Sequence, residues 1–355
     1  MKKISFLKFQ KEQIMRKHYI EYLRVIAMFA VVAIHVCSVA LNGFEDYSQL
    51  DAVLYLSVSK VFHFAVPIFF MISGALMLSP DKELPLKKLL SRYLLKYGLV
   101  IVVFGWAFAG IERFFVSRKV SVDLFTGSFV DMLTGKTWNH MWYMYSLFGA
   151  MLVVPILRWI IKNCRKEFMY YILAVFSLFL MVLPVMENNL GFELGVTLPF
   201  SSVYCFYMLL GYWIDHEDIR IPKKIAVVLM AVMFSVIIIL IVLQQVYHFN
   251  TRVLLYYSSP VIGVFSVCIF SFFRSMESAL SVKKTPVFIQ FLGKYSFGVY
   301  IIHMFWINIA YKALKINPFK FNSILAFFVL LAAVSLLSIL TSWAMKHIPL
   351  LKKIV

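Results

Sequence analysis

Long apolar runs separated by short polar segments dominate this chain. About 20 consecutive apolar residues are enough for an α-helix to cross the hydrocarbon part of a bilayer. Ten segments of this kind can be marked along the sequence: 20–41, 54–79, 93–111, 140–161, 169–186, 199–214, 224–246, 254–273, 296–313 and 322–345. The sixth is short and interrupted by polar residues. The pattern predicts an all-α, polytopic membrane protein with about ten transmembrane helices.

Composition supports the same class. Of the 355 residues, 62% are hydrophobic and only 15% are charged, whereas an average soluble domain has about 25% charged residues. A soluble enzyme is therefore excluded. The first apolar run, Tyr22 to Leu41, is too long for the core of a signal peptide, so we expect an uncleaved first helix.

The net charge of +18 comes from Lys and Arg clusters between the apolar runs, as in loops that face anionic lipid. With both termini in the cytoplasm, the inner segments hold 25 Lys and Arg residues and the outer segments hold 8. We therefore predict that both termini are cytoplasmic, and we expect contact with membrane lipids but no nucleic acid as a partner.

Three regions follow from this topology. Residues 1–18 form a basic cytoplasmic segment, residues 19–346 form the transmembrane domain, and residues 347–355 form a short cytoplasmic tail. The largest outer loop, 112–139, is expected to contain a surface or re-entrant helix. The four cysteines are scattered without a paired spacing, so neither a disulfide framework nor a metal site is predicted.

Two ionisable residues stand within the first apolar run. Arg24 and His35 are 11 residues apart, which is close to three full helical turns and about 16 Å along the axis. Both side chains therefore project from one face, Arg24 near the cytoplasmic boundary and His35 past the middle of the membrane. This spacing suits an anion clamp and a deeper acid/base group. Snorkelling of Arg24 to lipid phosphates and a plain interhelical hydrogen bond of His35 remain alternatives.

Other polar residues have two interpretations each. Lys60 and His63, one turn apart near the outer start of the second run, line the entrance for an acceptor, or the lysine snorkels outward. Ser73, beside Gly74 in a patch of small residues, is a candidate for substrate binding, with close helix packing slightly favoured over a nucleophilic role.

The fourth and ninth runs carry the remaining candidates. His140, Trp142 and Tyr143 open the fourth run from the outside, where rings form either an interfacial belt or a platform for a sugar. His303 lies deep in the ninth run, where a hydrogen bond between helices is a more frequent role than catalysis.

The order of these motifs resembles that of the acyltransferase 3 family of integral-membrane proteins. The first helix carries an arginine and a histidine separated by ten residues, as in that family. Three further stretches also match: "VPIFFMISGALML" at 66–78, "HMWYMYSLFGAMLVVP" at 140–155 and "KYSFGVYIIHMF" at 294–305. The resemblance covers nearly the whole chain. It implies ten transmembrane helices and transfer of an acyl group, usually acetyl, from cytosolic acyl-CoA to a hydroxyl of a surface glycan or lipid-linked sugar.

The resemblance also implies residue roles and a location. His35 is expected to be the acid/base that activates the acceptor or handles the acyl group, and Arg24 part of the acyl-CoA site. Acetyl-CoA would be the acyl donor, with no permanently bound cofactor. Such a protein is expected to be multi-pass in a bacterial plasma membrane, and proteins of envelope biosynthesis are candidate partners.

The chain departs from the family pattern at two places. Many members have an Arg-x-x-Arg pair entering the third helix, but here Arg92 is followed by Leu95, with Lys96 next to it. Arg92 and Lys96 are therefore the expected donor-binding cations, with lysine meeting phosphate as a point charge. The chain reaches Val355 just past the last run, so we expect a stand-alone member without an extracellular hydrolase-like domain.

Two other classes of function compete with an acyltransferase. An exporter or flippase of a lipid-linked saccharide also needs polar groups inside the membrane, but no internal repeat is visible and the Arg24–His35 spacing has no role in it. A membrane sensor or scaffold ranks last, because no soluble output domain is seen.

Overall fold

A computed structural model describes residues 17–191, 193, 195–196, 198, 202–216, 218–283 and 285–355. These residues form helices and short helical turns, and no strand is found among them. The helices are α1 His18–Gly43, α2 Gln49–Met77, α3 Leu86–Ser117, α4 Val122–Leu133, α5 Asn139–Asn163, α6 Lys166–Leu190, α7 Val203–Asp215, α8 Lys223–Val246, α9 Pro260–Ser275, α10 Glu277–Lys283, α11 Val287–Asn308 and α12 Ser323–Met345. Most of the predicted basic segment 1–18 lies outside the described residues.

Each of the ten predicted spans corresponds to a helix. In the described part of the chain, eight helices are long and apolar enough to cross a membrane, α9 being counted together with the turn that precedes it. The two remaining spans are α7, which has 13 residues, and α11, which has 22 and continues as a π-helical turn to Ala313. The protein is an all-α, polytopic membrane protein. The outer loop 112–139 contains the predicted extra helix, α4.

Helix α1, which carries Arg24 and His35, is the most buried of the eight spans. It packs against α2, α9, α11 and α12. Its first turn has no capping side chain of its own. Instead the carboxylate of Glu277 accepts hydrogen bonds from the backbone N–H groups of His18 at 3.0 Å and Tyr19 at 2.8 Å. A residue far along the chain therefore satisfies the N–H groups that a helix start leaves open.

A buried carboxylate fixes the same end of α1 to α7. Asp215, the last residue of α7, is 4% exposed. It accepts a hydrogen bond from the hydroxyl of Tyr19 at 2.7 Å and forms an ion pair with the ammonium of Lys17. Arg274 donates to the Asp215 carbonyl oxygen at 2.9 Å. This network joins α1, α7 and α9 at the end predicted to be cytoplasmic.

Helices α2 and α7 touch through two glycines. A Cβ atom on Gly74 would lie 1.9 Å from the carbonyl oxygen of Met208, and one on Gly211 would lie 2.1 Å from that of Met71. Neither position has room for any other side chain. Small residues allow two membrane helices to approach until their backbones meet, and this contact sets the position of α2 beside the site.

Candidate functional site

Two cavities enter the helix bundle from opposite ends. The inner cavity, of about 330 Å³, opens near the helix ends predicted to be cytoplasmic. Arg24, Ser73, Lys96 and Tyr143 are among its lining residues, so it contains four of the residues predicted from the sequence. The outer cavity, of about 550 Å³, is lined on the other side by His35, Lys60, His63 and Trp142.

Arg24 is held in the inner cavity by an acidic partner on its own helix. Its Nη1 atom lies 3.2 Å from Oε1 of Glu21, one turn earlier. Glu21 is 8% exposed, and the guanidinium is only partly accessible. The ion pair orients the guanidinium at the cavity wall, and the remaining N–H groups of Arg24 form a planar set of donors suited to phosphate.

The third helix supplies a lysine one residue after the position where the family pattern has its second arginine. Leu95 is 54% exposed, whereas Lys96 lines the inner cavity and its Nζ lies 4.6 Å from the centre of the Phe297 ring. Arg92 is exposed and is not among the residues lining either cavity. It belongs to one of two π-helical stretches in α3, Leu89–Leu94. Lys96 is therefore the cation of this pair that faces the cavity.

The outer cavity has an aromatic wall. Trp142, Tyr256 and Tyr257 line it, and the Trp142 and Tyr257 rings are 5.4 Å apart. Asn42 and Asn139 are also in the lining. Flat rings together with amide groups suit a ligand that has both C–H faces and hydroxyls.

Lys60 and His63 form a small hydrogen-bonded unit in the outer cavity. The Nδ1–H of His63 is donated to the carbonyl oxygen of Ser59 at 2.6 Å, which leaves Nε2 as an acceptor for the ammonium of Lys60 at 3.5 Å. The His63 ring is stacked on Tyr257 at 4.6 Å. Lys60 therefore presents a positive charge that points into the cavity and is fixed by its neighbours.

Three histidines meet between the cavities. The ring of His35 lies 5.1 Å from that of His303 and 6.4 Å from that of His140, and the last two are 5.1 Å apart. His140 and His303 are almost fully buried, whereas His35 is half-buried and lines the outer cavity. Residues from α1, α5 and α11 thus form one cluster.

The hydrogen bonds of the two buried histidines define their tautomers. His303 donates Nδ1–H to the carbonyl oxygen of Tyr300 at 2.7 Å, and His140 donates Nε2–H to that of Ile301 at 3.0 Å. Each ring then keeps one nitrogen without a proton, Nε2 in His303 and Nδ1 in His140. Neither of these two nitrogens has a hydrogen-bond partner among the described residues. A proton acceptor is therefore available on two of the rings around His35.

Tyr300 closes the inner cavity on the side of the histidines. It lines that cavity, its ring lies 5.2 Å from Tyr143, and its hydroxyl donates a hydrogen bond to the carbonyl oxygen of His140. His303 follows one turn later on α11 and contacts His35. One layer of side chains, Tyr300 with His303 and His140, therefore separates the two cavities.

Ser73 lies in the inner cavity wall, but its hydroxyl donates back to the carbonyl oxygen of Phe69 at 2.9 Å. Such a bond satisfies a hydroxyl inside an apolar helix. The described residues contain no group of three or more His, Cys, Asp or Glu side chains arranged to hold a metal ion.

Some residues of the site were not selected from the sequence. Glu21 could have been found, because it precedes Arg24 by three residues and so lies on the same helix face. Tyr300 appears in the sequence only as part of a motif. No local sequence pattern identifies Tyr257, because its contact with His63 depends on how α2 packs against the segment before α9.

A comparison with protein families finds a model that matches nearly the whole chain. The family model described as an acyltransferase domain, acyltransferase 3, matches residues 17–343, which include α1 and all three histidines of the cluster. No curated protein and no solved structure matches the chain. The match covers the helices that form both cavities, and the chain belongs to the acyltransferase 3 family of membrane acyltransferases.

Proposed function

We propose that this protein transfers an acetyl group from cytosolic acetyl-CoA to a hydroxyl of a cell-surface polysaccharide or lipid-linked sugar, in a bacterial plasma membrane. The observation that supports this most directly is the pair of cavities that approach each other from opposite ends, with His35 lining the outer one and a single layer of side chains between them. The inner one carries Arg24 and Lys96, and the outer one carries an aromatic wall.

The donor binds from the inner side in this proposal. Arg24 and Lys96 attract its phosphates, and the thioester end extends along the cavity toward Tyr143 and Tyr300. Because Glu21 fixes the guanidinium, little side-chain freedom is lost when the phosphate binds. The acyl group then has only the layer of Tyr300 and the histidines between itself and His35.

The acceptor binds in the outer cavity, with a sugar ring against Trp142 and Tyr257 and its hydroxyl toward His35. In this step the thioester carbonyl would extend from the inner cavity past Tyr300 to reach the hydroxyl, and His35 removes the hydroxyl proton as the oxygen attacks that carbonyl. The carbon–sulfur bond breaks, the thiolate of CoA leaves, and His35 returns the proton to it. An ester forms, a thioester is consumed, and no other reactant is needed. General-base help of this kind is worth about 10²- to 10⁴-fold in rate.

His303 would assist by its position. In the reaction its unprotonated nitrogen, which has no partner among the described residues, would accept a hydrogen bond from an N–H of His35 and leave the other nitrogen of His35 free to act as the base. A transient acyl group on His35 is the other chemical route through the same residue.

The test is mass spectrometry of surface glycans from cells that lack the protein and from cells that express it. Wild type should add the mass of one acetyl group per modified residue, and His35→Ala at equal membrane abundance should not. His248→Asn, an exposed loop histidine with a φ of 59° that asparagine tolerates, is the matched control and should behave as wild type.

Two results would contradict the proposal. Full modification by His35→Ala would remove the catalytic role of His35. Glycans of unchanged mass, accumulating inside cells that lack the protein, would instead indicate an exporter of a lipid-linked saccharide.

A further inference from the structure

A second group of cations lies beside the inner cavity and is not used by the reaction described above. Lys346 follows the last residue of α12, and its Nζ donates to the carbonyl oxygen of Lys294 at 2.5 Å. The same Nζ lies 4.7 Å from the centre of the Tyr295 ring, and the Nζ of Lys294 lies 5.4 Å from it. Two ammonium groups thus share one aromatic ring.

Helix α11 and Lys96 connect this group to the cavity that holds Arg24. Gly293, Ser296 and Phe297 line that cavity and surround Lys294 in the sequence of α11. Lys96, over the Phe297 ring, is close enough to Lys346 to repel it. The cations therefore form two levels, with Arg24 and Lys96 in the cavity wall and Lys294 and Lys346 next to it.

Acidic partners are missing at the second level. Within the described residues, no carboxylate oxygen lies within 4.0 Å of Lys96, Lys294 or Lys346. Glu21 is engaged with Arg24. Clustered cations without an acid are unfavourable until an anion joins them.

We propose that Lys294 and Lys346, next to Lys96, form a second phosphate subsite that binds the ribose 3′-phosphate of the CoA donor. This inference rests on the proposed function. CoA carries two anionic groups in order from its thioester end, the diphosphate and then the 3′-phosphate. Arg24 and Lys96 line the cavity and match the first, whereas Lys294 and Lys346 lie beyond the lining and match the second.

The pKa of Lys346 would respond to a bound anion. Burial, followed by repulsion from Lys96 and Lys294, lowers the pKa of Lys346 to about 8. The charged and titratable groups that face it are these two lysines and the Tyr295 ring. A bound phosphate would raise this pKa, so CoA binding near pH 8 should take up about half a proton.

The experiment uses the full-length protein in nanodiscs of neutral phosphatidylcholine. Calorimetry compares CoA with dephospho-CoA, which lacks only the 3′-phosphate, in two buffers of different ionisation enthalpy. Wild type should bind CoA more tightly than dephospho-CoA and take up protons with CoA only. Lys346→Gln should weaken CoA binding about tenfold, leave dephospho-CoA binding unchanged and abolish the proton uptake.

Two further variants separate charge from folding. Lys346→Arg keeps the charge and should keep the preference for CoA. Lys283→Gln removes an exposed lysine at the end of α10 and should change nothing. An unchanged preference for CoA over dephospho-CoA in Lys346→Gln, with the protein folded, would overturn the subsite.

The same cations would also suit the phosphate of an anionic lipid. If Lys346→Gln loses thermal stabilisation by phosphatidylglycerol while its preference for CoA is unchanged, the subsite belongs to lipid and the assignment to CoA is wrong. If the proposed function itself is wrong, the result differs from a failure of the subsite alone. Wild type and Arg24→Ala would then bind CoA equally weakly.

Discussion

The imidazole ring of His303 lies 5.1 Å from that of His35, and its Nδ1–H is donated to the carbonyl oxygen of Tyr300 at 2.7 Å. The backbone of α11 therefore fixes which nitrogen of His303 is free. That nitrogen is buried and has no partner among the described residues, so it is available to accept a hydrogen bond from a neighbouring group.

We expect His303→Ala to lower kcat about tenfold to a hundredfold, because His35 loses the acceptor that orients its proton. KM for acetyl-CoA should not change, since Arg24 and Lys96 are untouched. His303→Gln, whose amide oxygen can replace the free nitrogen, should recover part of kcat. Steady-state kinetics with purified protein measures both constants. Equal losses in the two variants, accompanied by equal falls in Tm, would mean that His303 only supports the fold.

Trp142 and Arg24 line different cavities, so their variants should affect different substrates. Trp142→Ala should raise KM for the acceptor about threefold to tenfold through loss of ring stacking, with KM for acetyl-CoA unchanged. Trp142→Phe should fall between wild type and the alanine variant. Arg24→Ala should show the reverse selectivity. A shared effect of both variants on both substrates would argue against two separate entrances.

The contact between α2 and α7 gives a prediction on stability. Gly74→Ala places a methyl group 1.9 Å from a backbone oxygen of Met208, and backbone cannot move aside as a side chain can. We expect a loss of about 3 kcal/mol or failure to insert, from the upper range of overpacking. Gly149→Ala is the matched control, because a Cβ there meets nothing within 4 Å and alanine favours the helix. Thermal unfolding in detergent compares them, and similar Tm values would refute the close contact.

Asp215 should matter for stability rather than chemistry. Asp215→Ala removes the acceptor of the Tyr19 hydroxyl and the partner of Lys17. Because Lys17 is partly exposed, we expect a loss of about 2–3 kcal/mol. Asp218→Ala, at an exposed aspartate nearby, should leave Tm unchanged. Hydrogen exchange at the start of α1 should increase in the first variant only, and unchanged exchange there would contradict the role of Asp215 in fixing that end of the helix.

Sequence and structure agree where the information is local. Apolar runs predicted the helices, because the bilayer demands about 20 such residues for each span. The spacing of Arg24 and His35 placed both on one face of α1, and the structure puts each in a cavity wall. Periodicity within one helix is enough for both predictions.

The rest depends on how helices meet. His140 and His303 were candidates singly, but their place around His35 follows from the packing of α5 and α11 against α1. Glu277, which caps the start of α1, lies 259 residues after His18 in the sequence. Apolar faces of membrane helices are chemically alike, so a single sequence does not specify which faces pair.

The thin layer between the two cavities has a consequence for the membrane itself. In the proposed reaction neither CoA nor sugar changes sides, and only an acyl group passes through the layer. In that reaction Tyr300, hydrogen-bonded to the backbone of α5, and the two buried histidines would form the barrier to ions where the two cavities come closest. The same few side chains would have to admit an ester group and still deny passage to ions, so the cell keeps its ion gradients while it modifies its surface.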